Sequence, residues 1–147
     1  MASAAAVKPS VANTNELLNT LISAKSIAFS NPANGATVGL HFQEMIKKLG
    51  IEKQVMAKAI LASDGVETMK LVLAKKVELG VTQMSEVIQA DRNTLVGPFP
   101  SEFELATRYS LWCKDPTQPE IAAFIGLLTS RFGAQVFSYN GLRPVRQ

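Results

Sequence analysis

The chain has 147 residues, 47% hydrophobic and 18% charged, which suits about one domain of ~100–150 residues with a core of its own. Its single cysteine, Cys113, excludes an intrachain disulfide, and with His41 as the one histidine there is no His/Cys cluster for zinc or iron–sulfur. The net charge of +3 comes from scattered Lys and Arg rather than a basic stripe, so nucleic acid is not an expected partner.

Met1–Ser10 lacks the basic and apolar regions of a secretory signal, so the chain as written is expected to stay in the cytoplasm. Asn13 with Glu16 has capping-box spacing, and Leu17, Leu18, Leu21 and Ile22 follow as one helix face. Ser26–Ser30 reads as a short strand, ended by the turn signals Asn31-Pro32 and Asn34-Gly35. A second helix starts near Thr37, with Val38, Phe42, Met45, Ile46 and Leu49 as its core stripe and Gly50 just past its end. Gln54–Leu61 reads as a strand. Ser63-Asp64-Gly65 then turns into a helix whose buried side is Val66, Met69, Leu73 and Val77. Leu79–Thr82 is a strand fit for a parallel sheet, Met84–Ala90 a helix, and Thr94–Val96 a strand.

Gly97-Pro98-Phe99-Pro100 can continue no element and marks a crossing or hinge. It divides the chain into 1–96, an α/β ligand-binding lobe, and 97–147, a crossing with a C-terminal segment. In that segment Thr107–Cys113 reads as a strand. Thr117 and Glu120 cap a helix with Ile121, Phe124, Ile125 and Leu128 as its apolar face, and Ser130 opens a last helix that Gly141 ends. The alternation predicts an α/β fold with a mainly parallel sheet. The longest apolar-plus-glycine run, Ile121–Leu128, is far short of the ~20 residues of a membrane span.

No GxSxG, Walker A or GxGxxG motif is present, and no catalytic residue is assigned. Cys113 is expected to be a buried, inert thiol in its strand, and His41 a partly exposed side chain. Asp64, Glu67, Glu78 and Glu86 read as caps and solvated positions. Binding is the better reading. Three strand ends lead into helix starts: Ser30 to Gly39, Ser63 to Val66, and Thr82-Gln83. Helix N-termini offer unpaired N–H groups and partial positive charge to an anion. The same junctions occur in every α/β domain, so spacing alone leaves both readings open.

Ser26-Ile27-Ala28-Phe29-Ser30-Asn31-Pro32 with Gly35 and Gly39, Lys48-Leu49-Gly50-Ile51, Glu78 through Glu86 (ELGVTQMSE), Val96-Gly97-Pro98-Phe99-Pro100, and Phe124–Ser130 with Gly141-Leu142-Arg143-Pro144 occur in series. Together they resemble the molybdate-type substrate-binding proteins of ABC importers, in order from about Val7 to Val145. The resemblance implies a type II periplasmic-binding-protein-like lobe, plus a strand–helix–helix remnant of the first lobe. It implies an oxyanion such as molybdate or tungstate held by hydroxyls and backbone N–H groups, with no cofactor and no metal. Carried over by position, the ligand contacts are Thr37, Val38, Val66 and Gln83, the last standing where the family has a tyrosine donor. The implied partner is an ABC permease, and the implied place is the periplasm.

Family members carry an export signal and most of a first lobe ahead of the segment matched here. The chain therefore reads as truncated to its second lobe and tail, with the tail folding back on the α/β unit or burying itself in a homodimer. A non-transport sensing or interaction module and an inactive remnant of a receptor are the alternatives.

Overall fold

Ile27–Ser30 (β2) is the middle of the sheet, and all four of its residues are buried. In the computed structural model, which describes Met1–Val145, four strands run in the order β1-β4-β2-β3. β2 pairs in parallel with β3 (Ala59–Ala62) and with β4 (Leu79–Val81), while β1 (Ala2–Ser3) runs antiparallel along β4. A strand covered on both faces is expected to be largely apolar, as β4 is and as β2 is up to its closing, buried Ser30.

The two faces separate by strand alternation. Ile27, Phe29, Leu79 and Val81 meet Leu17 and Leu21 of α1 (Thr14–Ser23) and Phe42, Met45 and Ile46 of α2 (Thr37–Lys48). Ala28 and Ala2 turn the other way, towards Met69 and Val72 of α4 (Gly65–Leu73) and Val87 of α5 (Met84–Asp91). Small residues on this second face let α4 come close. A Cβ on Gly80 would lie 2.5 Å from a Val72 methyl.

The α/β class and the mainly parallel sheet match the expectation, and several elements differ. Gln54–Leu61 is not one strand: Glu52–Met56 forms a short helix (α3) and only Ala59–Ala62 pairs with β2. Thr94–Val96 is no strand. Arg92–Thr94 is a 3-10 turn, and Leu95 makes a single bridge to Ala2. Residues 107–113 form no strand either, and Cys113 is half-exposed rather than buried. The buried side of α4 is Gly65, Thr68, Met69 and Val72; Val66 is 59% and Leu73 43% exposed. The expected stripe is rotated by one residue, because Thr68, not Leu73, faces the tight contact with Gly80.

Two compact units divide after Leu105: Met1–Leu105 and Ala106–Gln147. The boundary lies beyond the Gly97–Pro100 break for a packing reason. Phe99 stacks on Phe42 at 6.2 Å between ring centroids, and His41 Nε2 meets the Phe103 carbonyl at 2.7 Å. The crossing is thereby tied to α2 and belongs to the first unit.

Within the second unit, α6 (Pro119–Thr129) and α7 (Arg131–Tyr139) form a corner. Ser130 caps α7 as expected, its hydroxyl accepting from the Gly133 N–H at 3.0 Å. The residue before α6 is Gln118, while Thr117 is bound to Asp115 instead of capping. No residue of α6 is buried. Among the described residues no single helix is long and apolar enough to cross a membrane; α6 and α7 reach that composition only together, bent by 58°.

Candidate ligand-binding edge

The carboxyl ends of β2, β3 and β4 lie side by side, with β2 paired to both neighbours and its end tied to that of β3 by the Asn31 N–H on the Ala62 carbonyl at 2.8 Å. Each leads into a helix start. Because α2 covers one face and α4 and α5 the other, their N-termini reach this edge from opposite sides. Ligands of open α/β sheets collect where successive helices leave on opposite faces.

The α2 start is the open one. Ala36 stands at the cap, no side chain caps the helix, and its first turn holds no acidic residue. Ala36 cannot accept a hydrogen bond through its side chain, so the first N–H groups, at Thr37 and Val38, keep their partial positive charge unanswered. The backbone just before it is fixed. Asn31 caps the 3-10 turn Pro32–Asn34 through Ala33 N–H at 3.0 Å, and Gly35 takes φ 73°, which favours glycine. Gly39 then presses on β2: a Cβ there would sit 2.1 Å from the Ser30 carbonyl oxygen.

On the opposite face the helix starts are occupied. Asp64 caps α4, accepting from the Glu67 N–H at 2.8 Å. That bond, the Ser63 hydroxyl and then the Val66 N–H hold the Asp64 carboxyl below the usual carboxylate range. At α5, the Glu86 carboxylate accepts from the Thr82 hydroxyl and from the Gln83 N–H, the latter at 3.1 Å. It lies against Gly65, where a Cβ would collide with it and with Thr82. The Val66 and Gln83 junctions are therefore neighbours, and two carboxylates share that side.

Thr37 is exposed and Val38 half-buried at the open start. Val66, in the first turn of α4, is exposed, and Gln83 is the half-buried cap residue of α5. Sequence reading passed over the reach of Glu86 to Gly65. The signal was present: Gln83 and Glu86 have capping-box spacing, and a glycine opens the facing helix. Among the described residues no three His, Cys, Asp or Glu converge on a metal position.

The depressed Asp64 carboxyl gives a sign for acid behaviour. A carboxyl lowered by folding stabilises the fold above its unfolded pKa, and that contribution is lost as pH falls through the folded value. Wild type is therefore expected to lose stability in acid more than Asp64→Ala does. Thermal melts at neutral pH and in the acid range check this: the difference in Tm between the two should narrow as pH falls.

The family model for bacterial extracellular solute-binding proteins matches residues 1–143, and the chain belongs to that family. An aconitate isomerase from Pseudomonas sp is 30% identical over 143 residues, covering 95% of this chain and 53% of the relative. A substrate-binding domain of a candidate molybdenum ABC transporter from Clostridium difficile has the same fold. Its TM-score is 0.63 at 16% identity, over 94% of this chain and 60% of that one. The chain thus spans less than two-thirds of the length of either relative.

Proposed function

We propose that the chain is the solute-binding component of an ABC import system, taking a small oxyanion of the molybdate type rather than catalysing a reaction. The observation that carries this reading is the uncapped α2 start at the carboxyl edge of the sheet, with no acidic residue in its first turn. Thr37 and Val38 supply the principal contacts, through N–H groups and the Thr37 hydroxyl. Val66 and Gln83 complete the set from the opposite face, where Asp64 must yield part of its hold on Val66. The permease partner and the periplasmic place follow from the same reading. The relative bearing the name aconitate isomerase favours a second reading, an organic tricarboxylate as ligand. Its carboxylates would meet the same N–H groups.

Thr37→Pro is the sharpest test. Proline suits the first helical position, where the N–H has no helical acceptor, and Ala36 at ψ 118° already has the extended backbone that precedes proline. The variant should fold as wild type while losing one N–H and one hydroxyl. In a thermal-shift screen, molybdate or tungstate at ~100-fold over Kd should stabilise wild type by about 2.7 kcal/mol, several degrees in Tm. Thr37→Pro should weaken binding about tenfold or more. A shift with aconitate or citrate and none with molybdate would favour the tricarboxylate; no shift with any anion would overturn both.

A further inference from the structure

Folding gathers lysines that lie apart in the sequence. In a parallel α/β sheet the helix-to-strand connections all fall at the amino ends of the strands, opposite the candidate ligand edge. Three such connections lead into β2, β3 and β4. The first, after α1, carries Lys25. The second, from the last turn of α2 through α3, carries Lys47, Lys48, Lys53 and Lys58. The third, after α4, carries Lys75 and Lys76. Seven of the nine lysines of Met1–Leu105 are thereby placed at one pole. The strand-to-helix connections at the other pole carry no lysine or arginine. The Ile27 N–H on the Lys58 carbonyl at 3.2 Å and the Lys25 N–H on the Glu78 carboxylate at 2.8 Å hold the three connections side by side.

Six of these lysines are exposed; Lys58 is the exception, its ammonium held by the carbonyls of Ile22 and Ala24 at 2.6 and 2.5 Å. Among the described residues none of the six is in a salt bridge. Glu44, Glu52 and Glu78 lie on the same segments and leave the pole net positive. The composition selects the partner. These connections hold no arginine and no aromatic residue. Protein interfaces are depleted in lysine and enriched in arginine and aromatic side chains. Single-stranded nucleic acid is held by aromatic stacking and by arginine. Lysine is a compact point charge on a flexible stem, fit for a diffuse anionic surface rather than a fixed geometry. We infer that this pole adsorbs to the anionic headgroups of a lipid bilayer, where each lysine near the surface adds to binding. Adsorbed so, the first unit turns its candidate ligand edge away from the lipid. The contact needs no inserted helix and no bound solute.

Vesicle sedimentation tests this. At ~0.1 M salt the chain should pellet with phosphatidylcholine vesicles containing about 30% phosphatidylglycerol, and not with pure phosphatidylcholine. At ~1 M salt, where the Debye length falls to ~3 Å, it should stay in the supernatant. Lys47→Gln/Lys48→Gln and Lys75→Gln/Lys76→Gln should each lower partitioning about 25-fold, or about fivefold per lysine. Arg108→Gln/Lys114→Gln removes the same charge from the second unit and should change partitioning less than about twofold. All six substituted side chains are exposed, so the three variants should melt as wild type does. Equal losses in the three variants would assign the binding to net charge rather than to this pole. Salt-resistant binding to pure phosphatidylcholine would assign it to the apolar side chains of α6 and α7. A tighter hold on a random-sequence DNA duplex than on the anionic vesicles would give the pole to nucleic acid. Any of these three results, or no binding to the anionic vesicles, would overturn the assignment.

Discussion

Gly39→Val is expected to destabilise the first unit by about 3 kcal/mol or more and to abolish anion binding. The added Cβ would stand 2.1 Å from the Ser30 carbonyl oxygen and 3.0 Å from its carbon. Both are backbone atoms of the central strand, so no side chain can swing aside to relieve the clash. Either α2 lifts from β2 or β2 shifts in the sheet. Lifting α2 moves the Thr37 and Val38 N–H groups away from the edge, so stability and binding fall together. Chemical denaturation and calorimetric titration of the same preparation measure the two losses. Gly35→Ala provides the contrast: a Cβ there meets nothing within 4 Å, and its cost comes from the positive φ alone. A Gly39→Val variant that folds and binds like wild type would show that α2 does not need its close approach to β2.

Phe42→Ala should cost about 3–5 kcal/mol. The ring is fully buried and sits edge-on to Phe29 at 4.8 Å, with Phe99 stacked on its other side at 6.2 Å. One side chain therefore joins the central strand, α2 and the crossing after Gly97. Its loss opens a cavity and frees the crossing at the same time. Limited proteolysis separates the two effects. Wild type should be cut after Leu105, where the compact units divide, while Phe42→Ala should also be cut within Gly97–Phe103. His41→Ala, which removes only the bond to the Phe103 carbonyl, should give the second cut without the large loss of stability.

Much of the first unit was legible in its residues. The helix starts at Asn13 and Asp64 carry side chains that bond the third N–H onward, and both caps form as read. Ile27–Phe29 of β2 and the whole of β4 are apolar runs too short for helices, with turn signals after β2 at Asn31-Pro32. The failures have physical causes. Gln54–Leu61 has the composition of a strand, but only four residues can face β2 once α3 has turned the chain. β1 is two residues of Ala and Ser, with no propensity to announce it; its pairing is decided by the edge of β4. Residues 107–113 carry β-branched and aromatic side chains but find no strand to pair with in their own unit.

The candidate site was legible in outline and not in its asymmetry. Strand–turn–helix junctions can be found from turn residues and caps. Which helix start is left open depends on where carboxylates reach. Asp64 could be placed at its cap from spacing, but the approach of Glu86 to Gly65 is made by tertiary packing of α4 on α5. The result is one face with bare N–H groups and one with two carboxylates, a difference that no single motif states.

The most direct test is a titration of isotopically labelled wild-type chain with molybdate, followed amide by amide in nitrogen–proton NMR spectra. The Thr37 and Val38 amides should move first and furthest, saturating together, with smaller shifts at Val66 and Gln83. Shifts that gather instead at the α1 start or spread over the surface lysines, leaving Thr37 and Val38 unmoved, would contradict the account.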